Sequence, residues 1–170
     1  MFLFYRAILD DKNIIFETDN LSDFAKVSNG DYSSVSNMKI FENHNDEDYY
    51  QGDFTWLDNS TVLLAKKSMK DLKALSSLTF SCMNGSDLYN LVEVESIDCL
   101  DFSKSKISYF EDGKAIKSVD KFVFKASFEP SDRLMFKILG YDFSPIIYTK
   151  KFVDIFETNK ISGLKFRALK

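Results

Sequence analysis

The fold is indicated most clearly by one stretch near the end of the chain, Ile146-Ile147-Tyr148-Thr149-Lys150-Lys151-Phe152-Val153-Asp154-Ile155-Phe156. Its first four residues are apolar or β-branched, which predicts a strand over residues 146–149. Aromatic and aliphatic residues then recur at helical spacing, which predicts a helix over residues 151–158. Residues 164–169 return to strand character, so the stretch predicts a strand–helix–strand unit.

The same pattern occurs 84 residues earlier, in Val62-Leu63-Leu64-Ala65-Lys66-Lys67-Ser68-Met69-Lys70-Asp71-Leu72. In both stretches an apolar strand is followed by two lysines and a segment of helical spacing, here residues 66–75, and then by another strand, here residues 78–82. The two stretches indicate either an internal duplication or two unrelated units that are alike by chance, because one pair of short repeats does not separate these alternatives.

Outward from these two units, hydrophobic patterning predicts mostly short strands. Residues 10–13 and 111–114 are turn-prone and predict an opening hairpin and a later one, the second through Asp112-Gly113. The other predicted elements are a helix at residues 21–27, a loop at 28–37 and strands at 2–8, 13–17, 61–65, 91–95, 107–110, 115–119, 122–126 and 134–139. We therefore expect an α+β fold with a largely antiparallel or mixed sheet, a few short helices and the pair of strand–helix–strand units.

Length and composition are those of an ordinary folded protein, and 170 residues fit one domain covering residues 1–170. The 17 Phe and 8 Tyr supply a core, while only 2 Pro and 6 Gly argue against a disordered chain. No apolar run approaches the ~20 residues that span a bilayer, and the first residues lack the basic start and cleavage site of a signal peptide. Two cysteines are too few for a disulfide framework, so we expect a cytoplasmic protein without a membrane partner.

Charge is distributed unevenly along the chain. Residues 1–65 carry twelve acidic and four basic side chains, whereas residues 66–170 carry fourteen acidic and eighteen basic ones. We call residues 42–58 the acidic segment, because it contains six carboxylates, no Lys or Arg, and the aromatic residues Tyr49, Tyr50, Phe54 and Trp56. Such a segment repels nucleic acid and attracts a basic protein. The same composition is also typical of a solvated acidic loop, and Trp56 could belong to the core.

Residues suited to catalysis are scarce. His44 is the only histidine and lies among polar and acidic neighbours, a context typical of a solvated loop. The six glycines form no nucleotide-binding pattern, and Cys82 and Cys99 lie 17 residues apart without further metal ligands. Glu93 and Glu95 would share one face of a strand, either as a glycosidase-like pair or as a solvated face. We therefore predict a protein that is not an enzyme and has no metal, no cofactor and no nucleic-acid partner.

Four segments within residues 60–170 together form a recognisable pattern: Leu91-Val92-Glu93-Val94-Glu95-Ser96-Ile97-Asp98-Cys99-Leu100-Asp101-Phe102-Ser103-Lys104-Ser105, Asp120-Lys121-Phe122-Val123-Phe124, Ile146-Ile147-Tyr148-Thr149-Lys150-Lys151-Phe152 and Ile161-Ser162-Gly163-Leu164-Lys165-Phe166. This pattern resembles a family of bacterial immunity proteins, which are small proteins encoded beside polymorphic or contact-dependent toxins. The resemblance covers roughly residues 60–170 and is diffuse over residues 1–59, which are acidic and divergent.

The resemblance implies a structural role for the residues that carry it. Gly163 would be the glycine at the end of the last helix, and Phe122 and Phe166 would lie in the core. Asp101 and Ser105 would form a local turn or cap. None of these residues implies chemistry, so the resemblance implies a protein that acts by binding one cognate toxin domain.

Charge and resemblance together predict a cytoplasmic antitoxin that neutralises a toxin domain, of nuclease type with a basic cleft, by blocking its active site or substrate access. The predicted toxin-binding residues all belong to the acidic segment: Glu42, Asp46, Glu47, Asp48, Tyr49, Tyr50, Asp53 and Trp56. Two alternatives stay open at this point. One is a small hydrolase that uses carboxylates, and the other is an adaptor module whose partner is not a toxin.

Overall fold

Two β-sheets form the body of the protein. The computed structural model describes residues 3–10, 12–43, 50–84 and 86–169. Over these residues the strands and α-helices are β1 Phe4–Leu9, β2 Ile15–Glu17, α1 Leu21–Ser28, β3 Phe41–Asn43, β4 Phe54–Leu57, β5 Asn59–Lys66, β6 Thr79–Cys82, β7 Tyr89–Glu93, β8 Ser96–Ile97, β9 Lys106–Tyr109, β10 Ile116–Lys121, β11 Met135–Ile138, β12 Ile147–Thr149, α2 Lys150–Thr158 and β13 Leu164–Ala168. Three 3₁₀ helices cover Val35–Asn37, Lys67–Asp71 and Lys73–Leu75. None of the helices in these ranges has the length and apolar character needed to cross a membrane.

The sheets are mixed but mostly antiparallel. One has five strands in the order β13-β1-β12-β11-β8, and the other has six in the order β3-β2-β4-β5-β7-β6. Only the pairs β8–β11 and β2–β4 are parallel among the described strand pairs. The strands β9 and β10 pair only with each other and form the hairpin predicted at Asp112-Gly113. The predicted α+β fold is confirmed.

The two sheets share one hydrophobic cluster. Side chains alternate between the two faces of each strand, and those on the inner face point into this cluster. Leu63 of β5 and Tyr148 of β12 both belong to it. Phe152 of α2 packs into it as well, with its ring 5.8 Å from that of Phe54 and nearly perpendicular to it. Both sheets and α2 therefore bury their apolar faces together, which makes the chain one domain.

The outer face of each sheet is covered by a different element. Leu64 of β5 faces away from the shared cluster and packs in a second cluster with Phe24 and Val27 of α1. On the five-stranded sheet, Ile147 faces outward into a third cluster that includes Val119 of the β9–β10 hairpin. The protein is thus layered, with α1 outside one sheet and the hairpin outside the other.

The strand–helix–strand unit at the end of the chain is confirmed, but its helix ends differently from the prediction. Thr149 Oγ1 accepts a bond from Phe152 N at 3.4 Å and caps the start of α2. At the other end Ile161 N donates to Phe156 O at 2.9 Å and Lys160 N donates to Glu157 O at 3.1 Å, and Lys160 has a φ of 53°. These bonds form a Schellman motif around Lys160.

Gly163 is therefore not the helix-end glycine that the resemblance implied. It lies five residues beyond the last helical residue, Thr158, with a φ of 109°. A Cβ atom added there would lie 1.9 Å from Phe54 O, so the glycine is required by close packing of the two sheets. The other implied roles hold: Phe166 packs on the shared cluster, Phe122 packs on the third one, and Asp101 forms a local turn with Ser105.

The first strand–helix–strand unit contains no α-helix. Residues 66–75 instead form two 3₁₀ helices, separated at Leu72, which has an extended conformation. Met69, Leu72 and Leu75 are spaced by three residues, which suits the three-residue turn of a 3₁₀ helix better than the 3.6-residue turn of an α-helix. The two units still share a topology, because β7 lies between β5 and β6 as β1 lies between β12 and β13.

Other differences from the sequence prediction come from pairing over long distances. The opening hairpin is wrong, because β1 belongs to the five-stranded sheet and β2 to the six-stranded one. Residues 122–126 form no strand and contribute only a bridge between Phe124 and Leu100. The strands β3, β4 and β8 were not predicted, since each has only two to four residues; β8 pairs with the distant β11, and β4 pairs with the distant β2 as well as with the adjacent β5.

Asn13 joins the two sheets through its buried side chain. Its Nδ2 donates to Phe54 O at 2.7 Å and to Gly163 O at 3.1 Å, and its Oδ1 accepts from Gly52 N at 2.8 Å. Phe54 begins β4 of the six-stranded sheet, and Gly163 precedes β13 of the five-stranded one. A Cβ atom on Gly52 would lie 2.6 Å from the Gly163 Cα, so both glycines permit this approach. We call these four residues the Asn13 junction.

Asn13→Ala is expected to lower the free energy of unfolding by ~2–4 kcal/mol, because the buried Gly52 N–H and the Phe54 carbonyl lose their Asn13 partner and the Gly163 carbonyl keeps only its bond from Asp10 N. The change is measured by urea denaturation, with unfolding monitored by circular dichroism. Asn37→Ala, at the exposed end of a 3₁₀ helix, is the matched control and should stay within ~0.5 kcal/mol of the parent. Equal stability of the two variants would show that the junction does not hold the sheets together.

Lys137 links the five-stranded sheet to α1. It lies in β11 with 2% of its surface exposed, and its Nζ donates to Ser28 O at 2.9 Å and Val27 O at 3.4 Å. These carbonyls end α1, where the helix dipole favours a cation. Burial lowers the pKa of Lys137 to about 8. Lys137 therefore connects α1, which covers the six-stranded sheet, to the five-stranded sheet. Its ammonium group loses its proton at a lower pH than an exposed lysine does.

Between pH 8 and pH 10 the protein should gain ~1–3 kcal/mol of stability relative to Lys137→Met. The folded protein releases the Lys137 proton near pH 8, whereas the unfolded chain holds it to about pH 10.5. The unfolded state binds more protons in this window, so the free energy of unfolding rises with pH. The measurement is urea denaturation of both proteins at several pH values. If the free energies of unfolding of the parent protein and Lys137→Met changed with pH in the same way, Lys137 would not have a lowered pKa in the folded state.

Candidate functional site

The acidic segment leaves the six-stranded sheet and returns to it. It starts in β3, where Glu42 pairs with Phe16 of β2. It is fixed again at Tyr50, whose N–H donates to Lys12 O at 2.9 Å and whose carbonyl accepts from Ile14 N at 3.1 Å. Both fixed points adjoin β2. Five residues of interest in between lie outside the described residues: His44, Asp46, Glu47, Asp48 and Tyr49.

Glu42 and Tyr50 are exposed at these two fixed points. Gln51 Nε2 donates to Glu42 Oε1 at 2.8 Å, and the Tyr50 hydroxyl donates to Asp10 Oδ2 at 3.0 Å. Partial burial, together with the bond to Asp10, raises the pKa of Tyr50, so its hydroxyl stays a proton donor at neutral pH. These residues offer a carboxylate and an aromatic ring to a partner, a combination found at protein interfaces.

Asp53 makes structural contacts. Its Oδ2 accepts from Ser162 N at 2.9 Å and from Ser162 Oγ at 2.8 Å, and Lys66 Nζ lies 3.4 Å from Oδ1. The adjacent Phe54 N donates to Ser162 O at 3.1 Å. The Asp53 carboxylate therefore links the start of β4 to Ser162, just before β13. Asp53 and Ser162 directly precede Phe54 and Gly163, which belong to the Asn13 junction.

Trp56 lies in β4 and packs against the shared hydrophobic cluster. It is half-buried and pairs across the sheet with Leu63. The second half of the acidic segment is thus a core strand, Phe54–Leu57, instead of an exposed loop. Within the described residues, the exposed part of the predicted site consists of Glu42 and Tyr50.

Two acidic residues lie beside this surface that were not among the predicted toxin-binding residues: Glu17, outside the acidic segment, and Asp58, its last residue. Glu17 of β2 pairs opposite Phe41 of β3, and Asp58 forms the tight turn between β4 and β5. Burial raises the pKa of Asp58, and the negative charge of Glu17 raises it further, so the two carboxylates repel each other. They are distant in sequence, and only the parallel pairing of β2 with β4 brings them together. The edge of the six-stranded sheet therefore carries more negative charge than the segment alone.

The residues considered as catalytic candidates in the sequence form structural contacts or are buried. Glu93 accepts a hydrogen bond from the Ser81 hydroxyl, and Glu95 pairs with Arg133 at 3.4 Å. Burial raises the pKa of the Cys99 thiol to about 12, which keeps it protonated and a poor nucleophile. Among the described residues no cluster of three or more His, Cys, Asp or Glu side chains could hold a metal ion.

Comparison with known proteins assigns no family to the chain. No protein-family model matches it, and no curated protein has a significantly similar sequence. The class of protein is therefore stated by architecture: a two-sheet α+β domain that carries an acidic surface at one edge of its six-stranded sheet.

Asp53→Ala is expected to lower the free energy of unfolding by ~1–3 kcal/mol, because it removes two charge-assisted bonds and leaves Ser162 N without its acceptor. Asp132→Ala removes the same charge at an exposed position and is the matched control. Thermal and urea denaturation compare the two. If both variants were as stable as the parent protein, the contact between Asp53 and Ser162 would not be structural.

Proposed function

We propose that the protein is the immunity partner of a bacterial toxin, which binds a cognate toxin domain in the cytoplasm and blocks its active site or its access to substrate. The protein itself catalyses nothing in this proposal. The toxin domain is basic, as expected for a nuclease that binds phosphate groups. The acidic segment supplies the contacts through Glu42, Asp46, Glu47, Asp48, Tyr49 and Tyr50, while Asp53 and Trp56 hold the segment on the domain.

The observation that carries this proposal is the attachment of the acidic segment. Its two ends are fixed beside β2 by backbone pairing, at Glu42 and at Tyr50. The two described ends therefore hold Glu42 and Tyr50 at exposed positions beside β2. Binding then costs less conformational entropy than it would for a free tail.

Charge on the two sheets supports a basic partner. Residues 12–93, which supply all six strands of the larger sheet, carry thirteen acidic and seven basic side chains. Residues 94–170 carry eleven acidic and fourteen basic ones. The part of the chain that forms the larger sheet is therefore net acidic and the part after it is net basic, and a net acidic sheet would steer a basic toxin toward it.

The hydrolase alternative is less well supported by the cavities. A carboxylate hydrolase needs acidic groups that converge in a concave pocket. One cavity is lined by Arg6, Trp56, Tyr148 and Arg167 among others, and a second by Leu3, Lys150 and Lys151 among others, and the wall of neither contains a carboxylate. Glu17, Glu42 and Asp58 lie instead beside an edge of the six-stranded sheet, and an exposed edge suits binding to a protein.

Replacing Asp46, Glu47 and Asp48 together by Asn, Gln and Asn should weaken binding to the toxin domain at least ~10-fold and flatten its salt dependence, because three carboxylates of the surface are lost. The toxin domain to test is the one encoded beside the gene. Isothermal titration calorimetry at low and high salt gives both quantities, and protection of cells that express the toxin gives the functional result.

The matched control removes three negative charges elsewhere, at exposed positions that have no described ion pair: Glu111→Gln, Glu129→Gln and Asp132→Asn. Both triple variants have the same net charge, so only the position of the lost charge differs. The control should bind and protect like the parent protein. An equal loss in both variants would contradict the acidic segment as the site, and a neighbouring protein that binds without being toxic would favour the adaptor alternative.

A further inference from the structure

The last strand, β13, has one edge without a strand partner. It lies at the end of the five-stranded sheet, and β1 is its only partner among the described strands. At one end of this pairing Gly163 O accepts a bond from Asp10 N at 3.1 Å. At the other end Leu169 N donates to Phe4 O at 2.8 Å. Because hydrogen-bonded positions alternate in an antiparallel pair, every second residue of β13 has a backbone that faces away from β1.

The backbone groups that face away belong to Leu164, Phe166 and Ala168. The alternation that starts at Gly163 assigns the backbone of Lys165 and Arg167 to bonds with β1. The N–H and C=O groups of the other three residues have no hydrogen-bond partner within the part of the chain that the structure describes. Ala168 is exposed, so solvent reaches this end of the strand. Such an unpaired edge is a template for a further strand.

The side chains at this edge are cationic on one face of the sheet. Lys165 and Arg167 lie two positions apart and therefore project from the same face of β13. Arg6 of β1 lies directly opposite Arg167. All three side chains are exposed, and of the three only Lys165 forms an ion pair with a described residue, at 3.0 Å from Asp10. The edge therefore carries two guanidinium groups and one ammonium group beside a single carboxylate.

This charge disfavours pairing of β13 with a second copy of itself. If two copies paired antiparallel with their Phe166 residues opposite each other, Lys165 of each copy would lie opposite Arg167 of the other. Registers shifted by two residues place Lys165 or Arg167 opposite its own copy. Like charges directly opposite each other destabilise a sheet, and cations on edge strands keep identical edges apart in this way. The same cations favour a strand with acidic residues at the matching positions.

We propose that β13 binds an extended acidic segment of a second protein, which adds a sixth strand to the five-stranded sheet. In the antiparallel arrangement the middle residue of this segment exchanges both backbone bonds with Phe166, and its two neighbours lie opposite Lys165 and Arg167. Both neighbours are acidic. The middle residue is apolar, because its side chain lies on the same face as Phe166, which packs on the shared hydrophobic cluster. The proposal does not rest on the toxin-binding function, because the acidic segment adjoins the other sheet.

Nuclear magnetic resonance of the isotope-labelled full-length protein tests this proposal one amide at a time. The probe is the capped peptide Thr-Glu-Val-Glu-Thr, which is titrated to about 10 mM at constant ionic strength because so short a strand binds weakly. We expect saturable shifts of the amide signals of Leu164, Phe166 and Ala168, and slower exchange of these amide protons with solvent. No saturable change at these three amides would overturn the proposal.

Two matched peptides separate the effect of charge from that of strand pairing. Thr-Gln-Val-Gln-Thr has a similar shape without the two charges, so it should bind at least about threefold more weakly. The acidic peptide with an N-methyl group on its valine has no donor for Phe166 O and should not bind. Equal binding of the glutamine peptide would overturn the acidic assignment. Equal binding of the N-methylated peptide would show that the contact is not a paired strand.

Variants of the protein locate the contact. Arg167→Glu should weaken binding of the acidic peptide about fivefold or more, because attraction to one flanking residue becomes repulsion. Lys117→Glu makes the same change of charge on the exposed face of β10 and should bind the peptide like the parent protein. An equal effect of both substitutions would overturn the placement of the site at β13. Concentration-dependent protection of the three amides without peptide would overturn the proposal in favour of an interface between copies.

Discussion

The rest of the structure depends on the Asn13 junction, in which one buried amide binds backbone groups from two parts of the chain that are far apart in sequence. The Asn13 side chain bonds to Gly52, Phe54 and Gly163, across up to 150 residues of chain. A buried amide is tolerated in a core only when its donors and acceptor are satisfied, and here they are satisfied by the backbone of Gly52, Phe54 and Gly163. This single contact fixes the start of β4 against the start of β13, and so fixes one sheet against the other.

The position of the proposed toxin-binding surface follows from that contact. Asp53, next to the junction, holds the returning end of the acidic segment against Ser162, and Tyr50 lies only two residues before Gly52. Further along β4, Trp56 reaches the wall of the cavity between the sheets. A structural core contact therefore holds β4 in the core and the described ends of the acidic segment beside the six-stranded sheet.

Local patterns in the sequence predicted the elements whose own residues specify them, even where their strand partners are distant. The β12–α2–β13 unit and the β9–β10 hairpin are examples, since helical spacing and the Asp112-Gly113 turn specify them. Prediction failed where pairing between strands that are distant in sequence determines the structure. The residues of β1 and β2 predict a hairpin, but the two strands lie in different sheets, and β4 is a core strand inside the acidic segment. For the site, clustering of charge was visible in the sequence. The role of Asp53 was not, because Ser162 is 109 residues away.

The central claim is that this protein acts by binding a basic toxin through its acidic segment. It is tested most directly by purifying the native protein from the cells that produce it, at low and at high salt, and identifying what remains bound by mass spectrometry. The account predicts a stoichiometric complex with the C-terminal toxin domain of a larger secreted protein at low salt, and its loss at high salt. Recovery of the protein alone at low salt, while the neighbouring toxin is expressed, would contradict it.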